Sequence, residues 1–194
     1  MNEIVFYIQQ GFTHVLDLKA LDHVLLFVAL TVVYRFKNWK KTLWLITFFT
    51  LGHGITFGLS VYEYLDINVD LVEFLIAVTI LISVLINIFN VSQEKEIQHT
   101  NANSYFAFLF GLIHGLGFSN YFKMLLDDDE NKFIPLIEFA IGIEFSQIVI
   151  VLLVLSAGHV FQYVLHKKRR YWIIGVSILL LFRVIPMLFE RFPF

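Results

Sequence analysis

TLWLITFFTLGHGITFGLSVYEYL, residues 42–65, is an almost unbroken run of apolar side chains with a histidine, His53, near its middle. A transmembrane α-helix needs about 20 mostly apolar residues, so this stretch predicts a membrane-spanning helix. An ionisable side chain at the centre of such a helix costs about 2.5–3.5 kcal/mol on insertion scales, which makes His53 a candidate functional residue.

The composition extends this prediction to the whole chain of 194 residues. Hydrophobic residues make up 58% and charged residues 15%, whereas soluble domains have about 45–50% and about 25%. We therefore expect an all-α, polytopic helical bundle that forms a single transmembrane domain over residues 1–194. A net charge of −2 does not point to nucleic acid, and the absence of cysteine excludes disulfides and thiolate metal sites.

Six segments are apolar enough to predict spanning helices. They cover residues 21–36, 42–65, 71–91, 104–126, 133–165 and 171–189. The preceding residues 2–16 are too short and too polar for a confident span, and they predict an interfacial or re-entrant helix.

The loops between these segments alternate in charge. Residues 35–41 and 167–170 are basic, whereas residues 66–70 and 127–130 are acidic. Because basic loops stay in the cytoplasm, six spans would place both termini on the outer side of the cytoplasmic membrane. The N-terminus has no basic region or cleavage site, so no cleavable signal peptide is expected.

Further ionisable residues lie in or beside these helices, where they normally face the bundle interior. Together with His53, the candidates are His14, Asp22, His23, His114 and Glu144. A rise of 1.5 Å per residue puts His53, His114 and Glu144 at similar depth, with Asp22 and His23 nearer the outer face. This column of imidazoles and carboxylates predicts a site or a path for nickel, zinc, cobalt, iron or manganese.

Other polar residues have two interpretations. A single membrane histidine can simply hydrogen-bond a neighbouring helix, and Asp22 could be a helix N-cap. Glu138 is a candidate vestibule residue, and Gln147 shares a helix face with Glu144. Arg183 is expected as a counter-charge for a buried carboxylate.

Glycines accompany two of the histidines. Gly52 and Gly54 flank His53, and glycines also surround His114. Small residues let membrane helices approach closely, so the two histidines are expected to share one ion. The pentapeptides HGITF at 53–57 and HGLGF at 114–118 are also similar enough to suggest a parallel internal repeat.

The chain resembles the HupE/UreJ family of bacterial membrane proteins. The matching stretches are GFTHVL at 11–16, DHVLLF at 22–27, FFTLGHGIT at 48–56, FGLIHGLGF at 110–118 and GIEFSQ at 142–147. Their order and spacing run through most of the chain. Residues 15–21 are longer than the family pattern and lack its glycine, so the sequence leaves open whether His14 shares the site.

The resemblance implies handling of nickel or another metal in the bacterial inner membrane, near hydrogenase and urease maturation. Carried over by position, it marks His14, Asp22, His23, His53, His114 and Glu144 as metal ligands. We therefore expect a permease for a nickel-like divalent cation, whose partners are the metal ion and the lipid bilayer. A homo-oligomer or metalloenzyme-maturation partners are further expectations. Since neutral imidazoles are required, uptake should weaken below about pH 6.

Two other functions are compatible with the same residues. A zinc ion fixed by three His or Asp groups could activate water in an intramembrane hydrolase, with Ser119 or Ser146 assisting. A metal sensor or accessory subunit without transport is the third. Exchangeable metal binding would indicate a permease, and tight stoichiometric metal an enzyme.

Overall fold

The structure, a computed structural model, describes residues 3–17, 21–65, 67–92, 101–118, 122–126 and 131–193. Seven α-helices dominate these residues: α1 (Glu3–Val15), α2 (Asp22–Thr31), α3 (Trp39–Val61), α4 (Val69–Ser92), α5 (Asn101–His114), α6 (Phe133–His159) and α7 (Arg169–Glu190). A short 3-10 turn, Phe36–Asn38, leads into α3, and a π-helical segment, Val160–Val164, continues α6. The prediction of an all-helical chain is confirmed for the described residues.

Four of the helical segments are long and apolar enough to cross a membrane. They are Phe36–Val61, Val69–Val91, Phe133–Val164 and Arg169–Glu190, and they match the second, third, fifth and sixth predicted spans. Their outward faces carry large exposed apolar side chains such as Trp44, Phe89, Phe145 and Phe182. Such faces are stable in lipid, so the chain is an integral membrane protein.

The first and fourth predicted spans are shorter than the sequence indicated. α2 has 10 residues and α5 has 14, which correspond to about 15 and 21 Å against a hydrocarbon core of about 30 Å. α5 ends at His114 because the next residues form a tight turn, in which Gly117 N–H donates to the His114 carbonyl at 3.2 Å. The fourth prediction therefore placed the helix end too far along the chain.

Two glycines bring the backbones of α3 and α5 into direct contact. A methyl group added at Gly52 would lie 2.3 Å from the Phe108 carbonyl oxygen, and one at Gly111 would lie 2.2 Å from that of Phe49. Four residues beyond Gly111, Gly115 meets the His53 carbonyl oxygen at 2.2 Å by the same measure. From Gly111 to Gly115 on α5, the contacted carbonyl on α3 moves forward from Phe49 to His53. The two helices therefore run parallel and cross at small residues.

The crossing of α1 and α6 repeats these contacts. A methyl group at Gly11 would lie 2.1 Å from the Phe139 carbonyl oxygen, and one at Gly142 would lie 2.0 Å from that of Ile8. As at the first crossing, each glycine meets the carbonyl three positions before the partner glycine. This contact makes α1 part of the bundle and helps to position His14, as the first crossing positions His53 and His114.

Candidate metal site

Three imidazoles from three helices converge in the bundle. The ligand nitrogens of His14, His23 and His53 lie within 4.8 Å of one another, and His23 and His53 are buried. His14 ends α1, His23 starts α2 and His53 lies within α3. The structure therefore places His14 beside His23 and His53.

His114 adjoins this group through His23, at a ring-centroid distance of 5.3 Å. Its Nδ1 lies 2.8 Å from the carbonyl oxygen of Phe110. If Nδ1 carries the proton and donates it there, Nε2 keeps a lone pair for a ligand, as in many metal-binding histidines. We call His14, His23, His53 and His114 the histidine layer.

Each imidazole of the histidine layer has a buried nitrogen without a hydrogen-bond partner. These atoms are the Nε2 nitrogens of His14, His23, His53 and His114. A buried polar atom left unpaired costs about 1–3 kcal/mol, so four in one place favour a ligand-binding site. On a tetrahedral ion with Zn–N bonds of about 2.0–2.1 Å the nitrogens would be about 3.3 Å apart. A contraction of the His14, His23 and His53 group would give the spacing of a divalent transition metal, and His114 lies beside this group through its contact with His23.

Phenylalanine rings close the histidine layer on two sides. One turn from the histidines, Phe49 lies 6.0 Å from the His53 ring and 5.3 Å from the His114 ring, and Phe27 lies 4.8 Å from Phe49. In the other direction, Phe57 lies 5.7 Å from His53 and Phe118 lies 3.8 Å from His14. The layer is therefore enclosed between two apolar layers.

Asp22 has a different partner from the one expected. Its carboxylate accepts two hydrogen bonds from Arg191, Nη1 to Oδ2 at 3.0 Å and Nη2 to Oδ1 at 3.2 Å. Arg191 follows the end of α7, and its Nε also lies 3.6 Å from Glu73 Oε2. Leu21 occupies the N-cap position of α2, so the alternative of Asp22 as a cap is wrong. Asp22 adjoins the histidine layer in sequence but is held in an ion pair.

The structure places Glu144 away from the described histidine group, between α3 and α6. Thr47 Oγ1 donates to Glu144 Oε1 at 2.6 Å, and Thr50 Oγ1 contacts Oε2. Thr50 Oγ1 also lies 2.9 Å from Gln147 Oε1. We call Glu144, Gln147, Thr47 and Thr50 the Glu144 seam. Both carboxylate oxygens of Glu144 are thus already engaged.

The remaining candidates divide by burial. Glu138 is buried on α6, whereas Arg183 is exposed on α7, and it is Arg191 that pairs with Asp22. The prediction that Arg183 is the counter-charge of a buried carboxylate was therefore wrong. It considered only arginines within the apolar segments, and Arg191 lies beyond them. His159 is exposed and contacts Tyr163. Ser119 lies outside the described residues.

Sequence reasoning also missed the threonines of the Glu144 seam. Thr47 and Thr50 are three positions apart, which places them on one face of α3. That spacing was the available signal, although it did not show which helix the face would meet.

The fold and the site define a polytopic helical membrane protein with a buried imidazole cluster. The chain belongs to the HupE / UreJ protein family, whose model matches residues 1–191. The resemblance drawn from the motifs is confirmed, and membership indicates a membrane protein related to metal transport. No curated protein and no solved structure matches the chain.

Proposed function

We propose that the protein is a permease for a nickel-like divalent cation, and that the histidine layer is its substrate site. The observation that carries this proposal is the set of four buried, unpartnered Nε2 atoms contributed by four different helices. Imidazole is a good ligand for nickel, zinc and cobalt, so these three ions are the substrates to test first.

Helix ends support a cationic ligand. α1 and α5 both end at the histidine layer, with His14 and His114 in their last turns. The C-terminal end of a helix carries a partial negative charge, which stabilises a cation there. α2 meets the layer with its N-terminal end, which carries a partial positive charge. The carboxylate of Asp22, the first residue of α2, offsets that charge.

The two phenylalanine layers support transport through an enclosed state. A permease that has bound its ion from one side of the membrane must close its site to both sides before it opens to the opposite side. Rings on either side of the histidines could provide such closure. An ion is exchanged more readily when its ligands are neutral, whereas an additional carboxylate ligand would hold it more tightly. The pairing of Asp22 with Arg191 keeps that carboxylate engaged while the site is enclosed.

For the topology, we propose six membrane segments in which α2 and α5 cross together with the non-helical residues beside them. Non-helical backbone at membrane depth is tolerated where it is buried in protein or lines a cavity. Residues 35–41 and 167–170 would then face the cytoplasm, and both termini the periplasm.

Flux measurement on purified protein in liposomes tests the proposal. We expect uptake of Ni²⁺, Zn²⁺ or Co²⁺ by the parent protein and its loss in His23→Ala and His53→Ala. The matched control is His159→Ala, which removes an exposed histidine and should leave uptake unchanged. Uptake at the parent rate by both site variants would contradict the proposal.

The hydrolase alternative makes an opposite prediction about metal retention. A catalytic zinc should remain in stoichiometric amount after dialysis against a chelator, whereas a transported ion should be lost and readily exchanged. Elemental analysis of the dialysed protein distinguishes the two.

A further inference from the structure

A cavity of about 110 Å³ lies between α2, α4 and α5, on the side of the bundle that carries the α2–α3 connection. It is large enough for several water molecules. Five of its lining residues carry hydroxyl or carboxamide groups: Tyr34, Ser83, Asn87, Asn90 and Asn103. None of the lining residues of this cavity in the described chain is charged.

Three helices connect this cavity with the histidine layer. One turn from the histidines they carry Phe27, Phe49 and Phe110, which we call the inner phenylalanine layer. Phe110 itself lines the cavity, and so do the residues of the following turn, Leu30 on α2, Leu45 on α3 and Phe106 on α5. At 1.5 Å per residue, the cavity begins about 6 Å along the bundle from the histidines.

The inner phenylalanine layer is the barrier between the two spaces. Phe27 and Phe49 are fully buried, and their rings contact each other edge to face at 4.8 Å. Phe110 also contacts the histidine layer directly, because its carbonyl oxygen faces His114 Nδ1. An ion leaving the histidines in this direction would have to pass these rings to reach the cavity.

Two amides of the cavity use their nitrogens as donors within the protein. Asn87 Nδ2 donates to the Ala29 carbonyl at 2.7 Å, and Asn103 Nδ2 donates to the Tyr34 hydroxyl at 3.0 Å. Because the nitrogen of each amide already donates a hydrogen bond, its carbonyl oxygen is the group left to bind a cation. Asn87 and Asn90 lie three positions apart on one face of α4, so both reach the same space.

Resting on the proposed transport function, we propose that this cavity is a second, inner station where the divalent cation is rehydrated, with amide and hydroxyl oxygens as weak ligands. Oxygen ligands without charge bind a hydrated divalent ion weakly, so the ion is released rather than trapped. The inner phenylalanine layer separates this station from the histidine layer.

Metal flux in liposomes, measured beside equilibrium metal binding, tests this station. The double variant Asn87→Leu/Asn103→Leu should bind Ni²⁺ at the histidines like the parent protein but transport it about ten-fold more slowly or worse, the effect of losing an interaction with a charged ligand. Phe49→Ala should increase passive metal leak, whereas the control Phe48→Ala, at an exposed neighbouring ring, should not.

A chemical-access experiment covers the case in which the double variant does not fold. The chain has no cysteine, so a single introduced thiol reports on its own position. Asn90→Cys, at a half-buried lining residue, should react with a membrane-impermeant thiol reagent from one side of the membrane only. The control Phe89→Cys, at an exposed apolar position, should react about ten-fold more slowly, since a thiolate forms poorly in lipid.

The outcomes separate the two proposals. Histidine-dependent flux that is unaffected by the double variant, or an Asn90→Cys thiol that is inert from both sides, would overturn the inner station alone. Flux in the parent protein that does not depend on the histidines would overturn the transport site as well.

Discussion

The histidine layer and the Glu144 seam share helix α3, yet the imidazole nitrogens of the first and the carboxylate oxygens of the second have opposite surroundings, although Gln147 Nε2 of the seam also has no partner. His53 and its three partners leave four buried Nε2 atoms without a hydrogen bond. Three residues before His53, Thr50 helps Thr47 to engage both oxygens of Glu144. The difference supports the proposal that the histidine layer binds a metal ion, whereas the carboxylate of the seam is stabilised by the protein.

Replacement of one residue in each region gives the largest expected contrast. His53→Gln removes an unpartnered imidazole and should weaken Ni²⁺ or Zn²⁺ binding by more than about 100-fold, beyond the loss typical of an outer-shell partner. Glu144→Gln keeps a hydrogen-bond acceptor for the threonines and should change binding by less than about three-fold, because its oxygens are engaged elsewhere. Isothermal titration calorimetry on the purified variants measures both; equal losses would remove the distinction between the regions.

The glycine crossing that positions His53 can be tested separately from the ligands. Gly111→Ala places a methyl group against the Phe49 backbone, which cannot move aside, so we expect destabilisation of about 3 kcal/mol and reduced metal binding. Gly54→Ala adds the same methyl group where no atom lies within 4 Å. Thermal unfolding in detergent should separate the two variants clearly. Similar stability of both would show that α3 and α5 do not approach as described.

The Asp22–Arg191 pair is a second carboxylate site that the protein satisfies by itself. Arg191→Gln leaves a largely buried carboxylate without its two charged donors and should cost about 2 kcal/mol of stability. The control Arg183→Gln changes an exposed side chain and should stay within about 0.5 kcal/mol. Equal melting temperatures for the two variants would argue against the ion pair.

The smallest effect is expected within the Glu144 seam. Thr47→Val keeps the shape of the side chain but removes its hydrogen bond to Glu144, which should cost about 1 kcal/mol of stability. Metal affinity should not change. A loss of affinity as large as that of a histidine variant would place the seam in the metal site.

The sequence predicted the spanning helices well where apolar runs were long, as in α4 and α6, because lipid exposure requires such runs. It failed at the end of α5, where the run continues past His114 but the backbone turns at Gly115–Gly117. The turn depends on local geometry and on the contact between Gly115 and α3, neither of which hydropathy reports.

For the site, the type and depth of the residues predicted the histidines but not their partners. His14, His23 and His53 converge because α1, α2 and α3 all pack on α6, and that packing depends on tertiary contacts. The carboxylates were grouped with them on depth and on the family resemblance. Glu144 faces the threonines because of the rotation of α6 about its axis, which depth in the membrane does not show. The pairing of Asp22 with Arg191 was missed because Arg191 lies beyond the predicted spans.

X-ray absorption spectroscopy of the Ni²⁺- or Zn²⁺-loaded protein shows directly which atoms bind the ion. If the histidine layer holds it, the first shell has at least three nitrogens, for Zn²⁺ at about 2.0–2.1 Å, with the outer-shell scattering of imidazole and a spectrum unchanged by Glu144→Gln. A first shell dominated by oxygen, without imidazole scattering and altered by Glu144→Gln, would contradict binding by the histidine layer.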